Sequence, residues 1–377
     1  MTFQISTNYN SYRNVPKNDM GAPTLHSLYH LAHNPETMTN QIKEINKRDI
    51  PEIDDNRLDE GYQQAHIDEM LKSEMDLPKN PIMIQEFFEH IKEFKKESDK
   101  KQVVIWANAL AHLAESTNEK WDVTLFLKMD KIKDVPCLVV TKTAYQAFEE
   151  ENARTYTEEQ HQNARKLGIF HGWYLISSKD GPRFAKKDVI DYYYSVSTLT
   201  FGEVKIWILA EFDGICFEHK RNDWRFDIWG LARSWRTQEP SLVEIKLKES
   251  IFRVDKCKAY FSGVDWCILS DKRAIDIVAD GIQPGKPVKH SFNAISRSTD
   301  ASMWIYDPNV DVLNTKSLKI IKCVLCQVFT QMFTFFEKDP IRLSIYAEKK
   351  RYNLFFQLQE QSEEDGSATS RDQLELS

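Results

Sequence analysis

Alternating apolar and polar residues predict strands in three long stretches of the second half of the chain. These are "VIDYYYSVSTLT" from Val189, "EVKIWILAEFDG" from Glu203 and "SLVEIKLKES" from Ser241. Their β-branched and aromatic residues are typical of strands near the middle of a sheet. Earlier, "KWDVTLFLKM" and "VPCLVVTKT" predict two strands joined by a short loop, and "IRLSIYAEKKRYNLFFQLQ" predicts a hairpin near the end of the chain.

Helical spacing of apolar residues appears in four other stretches. "NPIMIQEFFEHIKEFKKE" and "QVVIWANALAHLAEST" predict two successive helices. "RVDKCKAYFSGVDWCILS" begins as a helix and ends as a strand, and "SLKIIKCVLCQVFTQMFTFFEKD" predicts a long helix that stops at Pro340.

The chain shows no internal repeat and no Gly/Pro-rich linker, so one large α+β domain is expected over residues 26–360. Two mixed or antiparallel sheets would form its core, with helices on the flanks. Residues 1–25 are polar and Asn-rich, which predicts a flexible arm. Residues 361–377 form an acidic, Ser-containing stretch that predicts a disordered tail.

Composition narrows the class of protein. The net charge of −7 argues against a nonspecific binder of nucleic acid, although a local basic groove is compatible with it. Six scattered cysteines indicate reduced thiols and an intracellular protein, nuclear or cytoplasmic, and no apolar stretch predicts a signal or membrane span. The pair in "CVLC" at 323–326 is best interpreted as core cysteines on a helix.

Two of the predicted strands carry charged residues at alternate positions. Because side chains of a strand point to alternate sides, Glu244 and Lys246 share one face, and Glu211 and Asp213 share a face of their own strand. If the two strands are neighbours, three carboxylates and one lysine converge.

Buried carboxylates at this density need a cation, and hard oxygen ligands suit Mg²⁺ or Mn²⁺. Such a metal would polarise a phosphate oxygen and lower the pKa of a bound water, which Lys246 could orient. This is the chemistry of phosphodiester or pyrophosphate hydrolysis. The alternative is a strand with one solvated face, which also places Glu and Lys two residues apart.

The order of these motifs resembles the DXO/Dom3Z/Rai decapping exoribonucleases, between residues 58 and 359. Members of that family carry an Arg on an early helix, a Gly–aromatic–x–x–Glu segment, an acid–apolar–Asp strand, an acid–apolar–Lys strand and a Gln in the next helix. The resemblance implies an active-site core like that of acid–x–Lys nucleases and a substrate at the 5′ end of RNA. As for some relatives, it also suggests a nuclear exoribonuclease partner.

Two motifs match the family pattern residue for residue. "AEFDG" contains Glu211 and Asp213, and "VEIK" contains Glu244 and Lys246. By resemblance, the three carboxylates bind the divalent metal and the backbone carbonyl of Ile245 adds a ligand. Glu244 and Lys246 would also serve catalysis, with Lys246 assisting the attacking water or the phosphate.

Two earlier motifs depart from the pattern. Ala107 stands where the family has its phosphate-contacting Arg. In "KLGIFHGWYLISSKD", Gly172 and Trp173 match a substrate-binding segment, but Ile176 stands where the metal-binding Glu is expected. His171 is a candidate substitute ligand, although a lone histidine is more often structural.

The region after the lysine strand supplies the remaining candidates. Ser262 or Gly263 lies near the expected Gln and would face the substrate. The basic stretch "KLKESIFRVDKCK" includes Lys256 and Lys258, which could follow an RNA backbone or form an ordinary solvated helix face. "RNDWRFDIWGLARSWR" at 221–236 could stack a base or anchor an insertion by its tryptophans.

The leading hypothesis is a divergent hydrolase that removes an incomplete guanosine cap or an NAD-type cap from RNA, with or without 5′–3′ exonuclease trimming. The second hypothesis is a catalytically impaired relative that binds RNA 5′ ends or a protein partner and acts in regulation. A DNA nuclease of the broader acid–x–Lys type is favoured by no residue.

Overall fold

β-Branched and aromatic residues are concentrated in two long strands, Ile190–Phe201 and Val204–Phe212, in the computed structural model of the chain. The structure describes residues 2–6, 23–34, 36–54, 81–97, 99–114, 123–142, 168, 171–176, 190–216, 240–247, 253–270, 290–295, 310–311, 325–326, 329–330, 332–334, 343–350 and 353–360.

Fifteen strands lie in this part of the chain. In order they are β1 Thr2–Ser6, β2 Thr24–Asn34, β3 Thr39–Ile45, β4 Lys101–Trp106, β5 Val123–Ile132, β6 Val135–Lys142, β7 Ile190–Phe201, β8 Val204–Phe212, β9 Gly214–Cys216, β10 Ser241–Leu247, β11 Trp266–Ser270, β12 His290–Ile295, β13 Val310–Asp311, β14 Leu343–Lys350 and β15 Asn353–Glu360.

Helices are fewer than strands within the same residues. They are α1 Ile84–Glu89, α2 Ala107–Ala114 and α3 Arg253–Ser262, and a 3₁₀ turn covers Lys47–Asp49. Residues 171–176 are also helical, as are the described residues between 325 and 334. Among the described residues, none of the helices has the length and apolar character needed to span a bilayer.

The strands form two sheets. The larger has ten strands in the order β1-β15-β14-β5-β6-β4-β8-β7-β2-β3, and the smaller has five in the order β13-β12-β11-β10-β9. In the larger sheet β4 runs parallel to β6 and β8, and its other pairs are antiparallel. The predicted α+β fold with two mixed or antiparallel sheets is therefore confirmed.

Both faces of the larger sheet are buried at its centre. Successive residues of β8 alternate between two apolar clusters, so Ile206 and Ile208 face α2 and α3 whereas Trp207 and Leu209 face α1. Each of these four side chains is at most 1% exposed. This burial on both faces makes β8 a rigid element from which the site is built.

Most predicted strands are confirmed, and one predicted helix is partly wrong. "QVVIW" forms strand β4, and the helix begins only at Ala107. Consecutive branched residues Val103, Val104 and Ile105 are all fully buried, which suits a strand covered on both faces. The first predicted helix is also shorter than expected, because α1 ends at Glu89.

Strand β1 lies inside the range predicted as a flexible arm and pairs antiparallel with β15. The tail at 361–377 and the Trp-rich segment at 221–236 lie outside the described residues. The division of the chain into arm, domain and tail stays a prediction.

Gly214, at the start of β9, packs too closely on backbone to accept a side chain. A Cβ there would lie 2.9 Å from the carbonyl oxygen of Pro51. We expect Gly214→Ala to lower the free energy of unfolding by about 1–3 kcal/mol in urea titrations, as overpacking does. Gly168→Ala is the matched control, because a Cβ there meets nothing within 4 Å. Equal stability of the two variants would contradict this packing.

Candidate active site

The two sheets are joined by the continuous chain from β8 into β9. Phe212 ends β8 in the larger sheet, and Gly214 begins β9 in the smaller one. Asp213 is thus the single residue between the sheets, and Glu211 lies two residues before it. An acid–apolar–acid motif is thereby placed at the junction of the sheets.

Strand β10 is held against this junction by Asp213. The backbone N–H of Asp213 donates to the carbonyl oxygen of Val243 at 3.0 Å. In return, the N–H of Ile245 donates to Asp213 Oδ2 at 2.5 Å. β8 and β10 are therefore not paired neighbours in one sheet, but are connected through β9 and Asp213. This connection brings Glu244 close to Glu211 and Asp213.

Glu244 is a buried carboxylate held by two lysines. Its side chain is 6% exposed, and its Oε1 accepts hydrogen bonds from Lys246 and, at 2.6 Å, from Lys258. Burial by itself would raise the pKa of Glu244, but the two ammonium groups outweigh it and lower the pKa to about 2. Glu244 is therefore ionised throughout the physiological range.

Glu211 and Asp213 show the opposite behaviour. Burial raises the pKa of Glu211 to about 7, against an attraction from Lys258 that lowers it. Burial and then the charge of Glu244 raise the pKa of Asp213 to about 6, although Lys246 lowers it. The two carboxylates thus have too little positive charge around them, which is the condition under which a proton or a metal cation binds.

Lys246 is a cation at neutral pH. Burial alone would lower its pKa, but Glu244 and then Asp213 and Asp255 raise the pKa above its usual range. A permanently charged ammonium donates hydrogen bonds to water or phosphate and does not serve as a general base.

The helical residues 171–176 cover the same junction. A Cβ on Gly172 would lie 3.6 Å from Asp213 Oδ1, and a Cβ on Gly214 would lie 3.1 Å from Ile176 Cγ2. Ile176 therefore stands beside the residue that follows Asp213, with a hydrocarbon side chain and no oxygen ligand. Trp173 is half-buried, and His171 is fully buried.

Residues 51–54 fasten this helical segment to β9, a role that the sequence did not indicate. The N–H of Ile53 donates to the carbonyl oxygen of Ile215 at 2.9 Å, and the N–H of Asp54 donates to that of Leu175 at 2.8 Å. The one sequence signal in this segment is Pro51, which indicates a turn but not a contact with β9.

The remaining predicted residues lie on or near α3. Ser262 is buried, its hydroxyl donates to the carbonyl oxygen of Ala259, and its own carbonyl oxygen accepts the hydroxyl of Ser195 at 2.5 Å. These bonds fit a helix-end role, and contact of Ser262 with substrate stays a prediction. Lys256 lies in α3, and Ala107 begins α2 in the buried core.

No metal-ligand cluster is preformed in the residues that the structure describes, since no three His, Cys, Asp or Glu side chains are arranged to hold an ion. The donor chemistry nevertheless fits Mg²⁺ or Mn²⁺, which prefer carboxylate oxygens. Mg²⁺ is commonly bound by one or two carboxylates and completed by substrate phosphates and waters. Glu211 and Asp213 provide two buried carboxylates for which the nearby lysines do not fully offset the effect of burial.

No family model and no curated protein matches the chain. Solved structures do match it. S. pombe Rai1 superposes with a TM-score of 0.58 at 10% identity, over 95% of this chain and 100% of that one. Scheffersomyces stipitis Rai1, solved with (3′-NADP)⁺ and calcium, has a TM-score of 0.55 at 12% identity, over 95% and 92%.

Candida albicans Rai1, solved with pU5 and Mn²⁺, has a TM-score of 0.54 at 12% identity, over 96% of this chain and 93% of that one. The chain therefore has the fold of the Rai1 proteins along nearly its whole length. The resemblance to the DXO/Rai family is confirmed at the level of fold, and the roles of individual site residues stay predictions.

The raised pKa of Glu211 makes the stability of the metal-free protein depend on pH. The native state holds this proton more tightly than the unfolded state, whose carboxyl titrates near 4.5. Stabilisation is therefore complete below that value and is lost as the pH rises through about 7. In EDTA at pH 7.5, Glu211→Gln is expected to be more stable than the parent by about 1–3 kcal/mol.

Urea unfolding at pH 5 and pH 7.5 measures this difference, which should fall below about 1 kcal/mol at the lower pH. Glu203→Gln is the control, because it neutralises an exposed carboxylate in the turn between β7 and β8. A Glu211→Gln variant with the same pH profile as the parent would contradict the assignment.

Proposed function

We propose that this protein is a divergent DXO/Rai family member that hydrolyses the 5′ end of RNA. Its substrate would be an incomplete guanosine cap or an NAD-type cap, and 5′–3′ trimming could follow. One observation carries the proposal: Glu211, Asp213, Glu244 and Lys246, which match the family's two strand motifs, come together where the sheets meet.

The resident metal would be Mg²⁺ or Mn²⁺. Glu211 and Asp213 would hold it, with Glu244 and the carbonyl oxygen of Ile245 as further donors. When bound, the ion would supply Lewis-acid polarisation of a phosphate oxygen and an activated water. Rai1 structures solved with Mn²⁺ and pU5, or with calcium and (3′-NADP)⁺, support this class of ion and ligand.

The side chains of the chain itself perform the remaining tasks. Lys246 donates hydrogen bonds to the phosphate or to the attacking water, because its ammonium stays charged. Gly172 leaves room beside Asp213, and Trp173 lies on the same helical segment, where it could contact the substrate. Lys256 and Lys258 on α3 add positive charge for a nucleic-acid backbone.

A second candidate function is binding of RNA 5′ ends, or of a protein partner, without turnover. Two observations favour it. Ala107 and Ile176 lack the guanidinium and carboxylate that the family pattern has at those positions. The negative charge of Glu244 is already balanced by the ammonium groups of two lysines. Losing a bidentate phosphate clamp weakens the substrate positioning on which rate depends. A nuclear exoribonuclease partner and a nuclear or cytoplasmic location rest on the resemblance alone.

An assay on differently capped RNAs separates the two functions. The protein is incubated with guanosine-capped, NAD-capped, 5′-triphosphorylated and 5′-monophosphorylated RNA, in Mg²⁺, Mn²⁺ or EDTA. We expect metal-dependent release of a 5′ product from at least one capped RNA. The double variant Glu211→Ala/Asp213→Ala should reduce the rate at least about 100-fold, because it removes the metal's carboxylates.

Glu203→Gln, with its exposed carboxylate, should retain the parent rate. RNA binding is measured in parallel by fluorescence anisotropy. The hydrolase proposal would be overturned if the protein bound RNA but released no product from any of the four RNAs, and if the double variant bound RNA equally well. That result would support the second function.

A further inference from the structure

Lys258, on helix α3, bonds to the carboxylate of Glu244 on strand β10. Its ammonium nitrogen lies 2.6 Å from Glu244 Oε1, and the Lys258 side chain is 21% exposed. Lys246 reaches the same oxygen from β10 itself. The two lysines therefore converge on one oxygen from a strand and from a helix.

The position of α3 fixes where Lys258 can reach. Ser195 and Ser197, two residues apart on β7, donate hydroxyl hydrogen bonds to the carbonyl oxygens of Ser262 and Phe261 at 2.5 and 2.7 Å. All four residues are at most 1% exposed. The end of α3 is thus tied to the larger sheet, so the ammonium of Lys258 is delivered to the junction by a packed helix.

Lys258 contributes positive charge to a cluster of three carboxylates and two lysines. Glu211, Asp213 and Glu244 bring three negative charges when ionised, and Lys246 and Lys258 bring two positive charges, which leaves a net charge of −1. Asp255 adds a further negative charge that acts on Lys246, so removing Lys258 would leave the cluster strongly negative. Lys258 therefore supplies positive charge where a metal ion would supply it.

We propose that Lys258 is an internal cation that competes with the divalent metal for Glu244. This inference rests on the proposed function for the presence of a metal at the site. A metal ion that binds Oε1 of Glu244 must displace the ammonium of Lys258 from that oxygen. The displaced ammonium is then available to a 5′-phosphate, so metal and phosphate bind cooperatively.

Metal binding to purified protein tests the competition directly. Mn²⁺ affinity is measured by electron paramagnetic resonance and calorimetry for the parent, Lys258→Met, Lys258→Arg and Lys92→Met. Lys258→Met is expected to bind Mn²⁺ at least about tenfold more tightly, because it removes the competing charge. Lys258→Arg keeps the competing positive charge and should stay within about twofold of the parent.

Lys92→Met is the matched control, since it removes a lysine from an ion pair with Glu44 at the exposed surface. It should leave Mn²⁺ binding unchanged. Unchanged or weaker Mn²⁺ binding in a folded Lys258→Met protein, as judged by circular dichroism, would overturn the proposal.

Cooperativity in the parent protein gives a test that does not depend on the folding of a variant. Adenosine 5′-monophosphate should increase the affinity of the protein for Mn²⁺ several-fold, after correction for the Mn²⁺ that the nucleotide binds in solution. Lys258→Met should lose this increase. Absence of the effect in the parent would also overturn the proposal. Both tests follow metal binding and not turnover, so a chain that fails to hydrolyse RNA can still show competition by Lys258.

Discussion

The pair of hydrogen bonds that Asp213 forms with β10, one through its backbone and one through its carboxylate, is the constraint on which the candidate site depends. The chain leaves the larger sheet at Phe212 and enters the smaller one at Gly214, and Asp213 bonds to Val243 and Ile245 on either side of Glu244. Because one bond comes from the backbone and the other from the side chain of the same residue, together they set the register of β10 relative to β8. The acidic motif and the lysine motif are thereby brought to one place, although they belong to different sheets.

The three buried carboxylates at this place differ in pKa, because the lysines contact only one of them directly. Glu244 accepts two ammonium groups and has a lowered pKa, whereas Glu211 and Asp213 are left short of positive charge and have raised pKa values. A proton, a metal ion or the lysines can each supply the missing charge. Lys258, positioned by α3, lowers the pKa of both Glu211 and Glu244, and we propose that it also limits the affinity of a metal for Glu244.

Local pattern predicted much of the fold, because alternation and helical spacing are properties of short segments. β5, β6, β7, β8 and the β14–β15 hairpin were all expected from alternating residues. The main error lay in "QVVIW", where continuous branched residues fit either a buried strand or a helix. Its position between two parallel neighbours, β6 and β8, decides in favour of the strand.

The sequence by itself determined that two strands would each present acids, or an acid and a lysine, on one face, because side chains alternate along any strand. It also identified the family whose fold the chain has. Only the tertiary structure decided that these strands meet through Asp213, that Ile176 lies beside Gly214, and that Lys258 bonds to Glu244. Such contacts join residues far apart in the chain, and their formation depends on how helices and sheets pack.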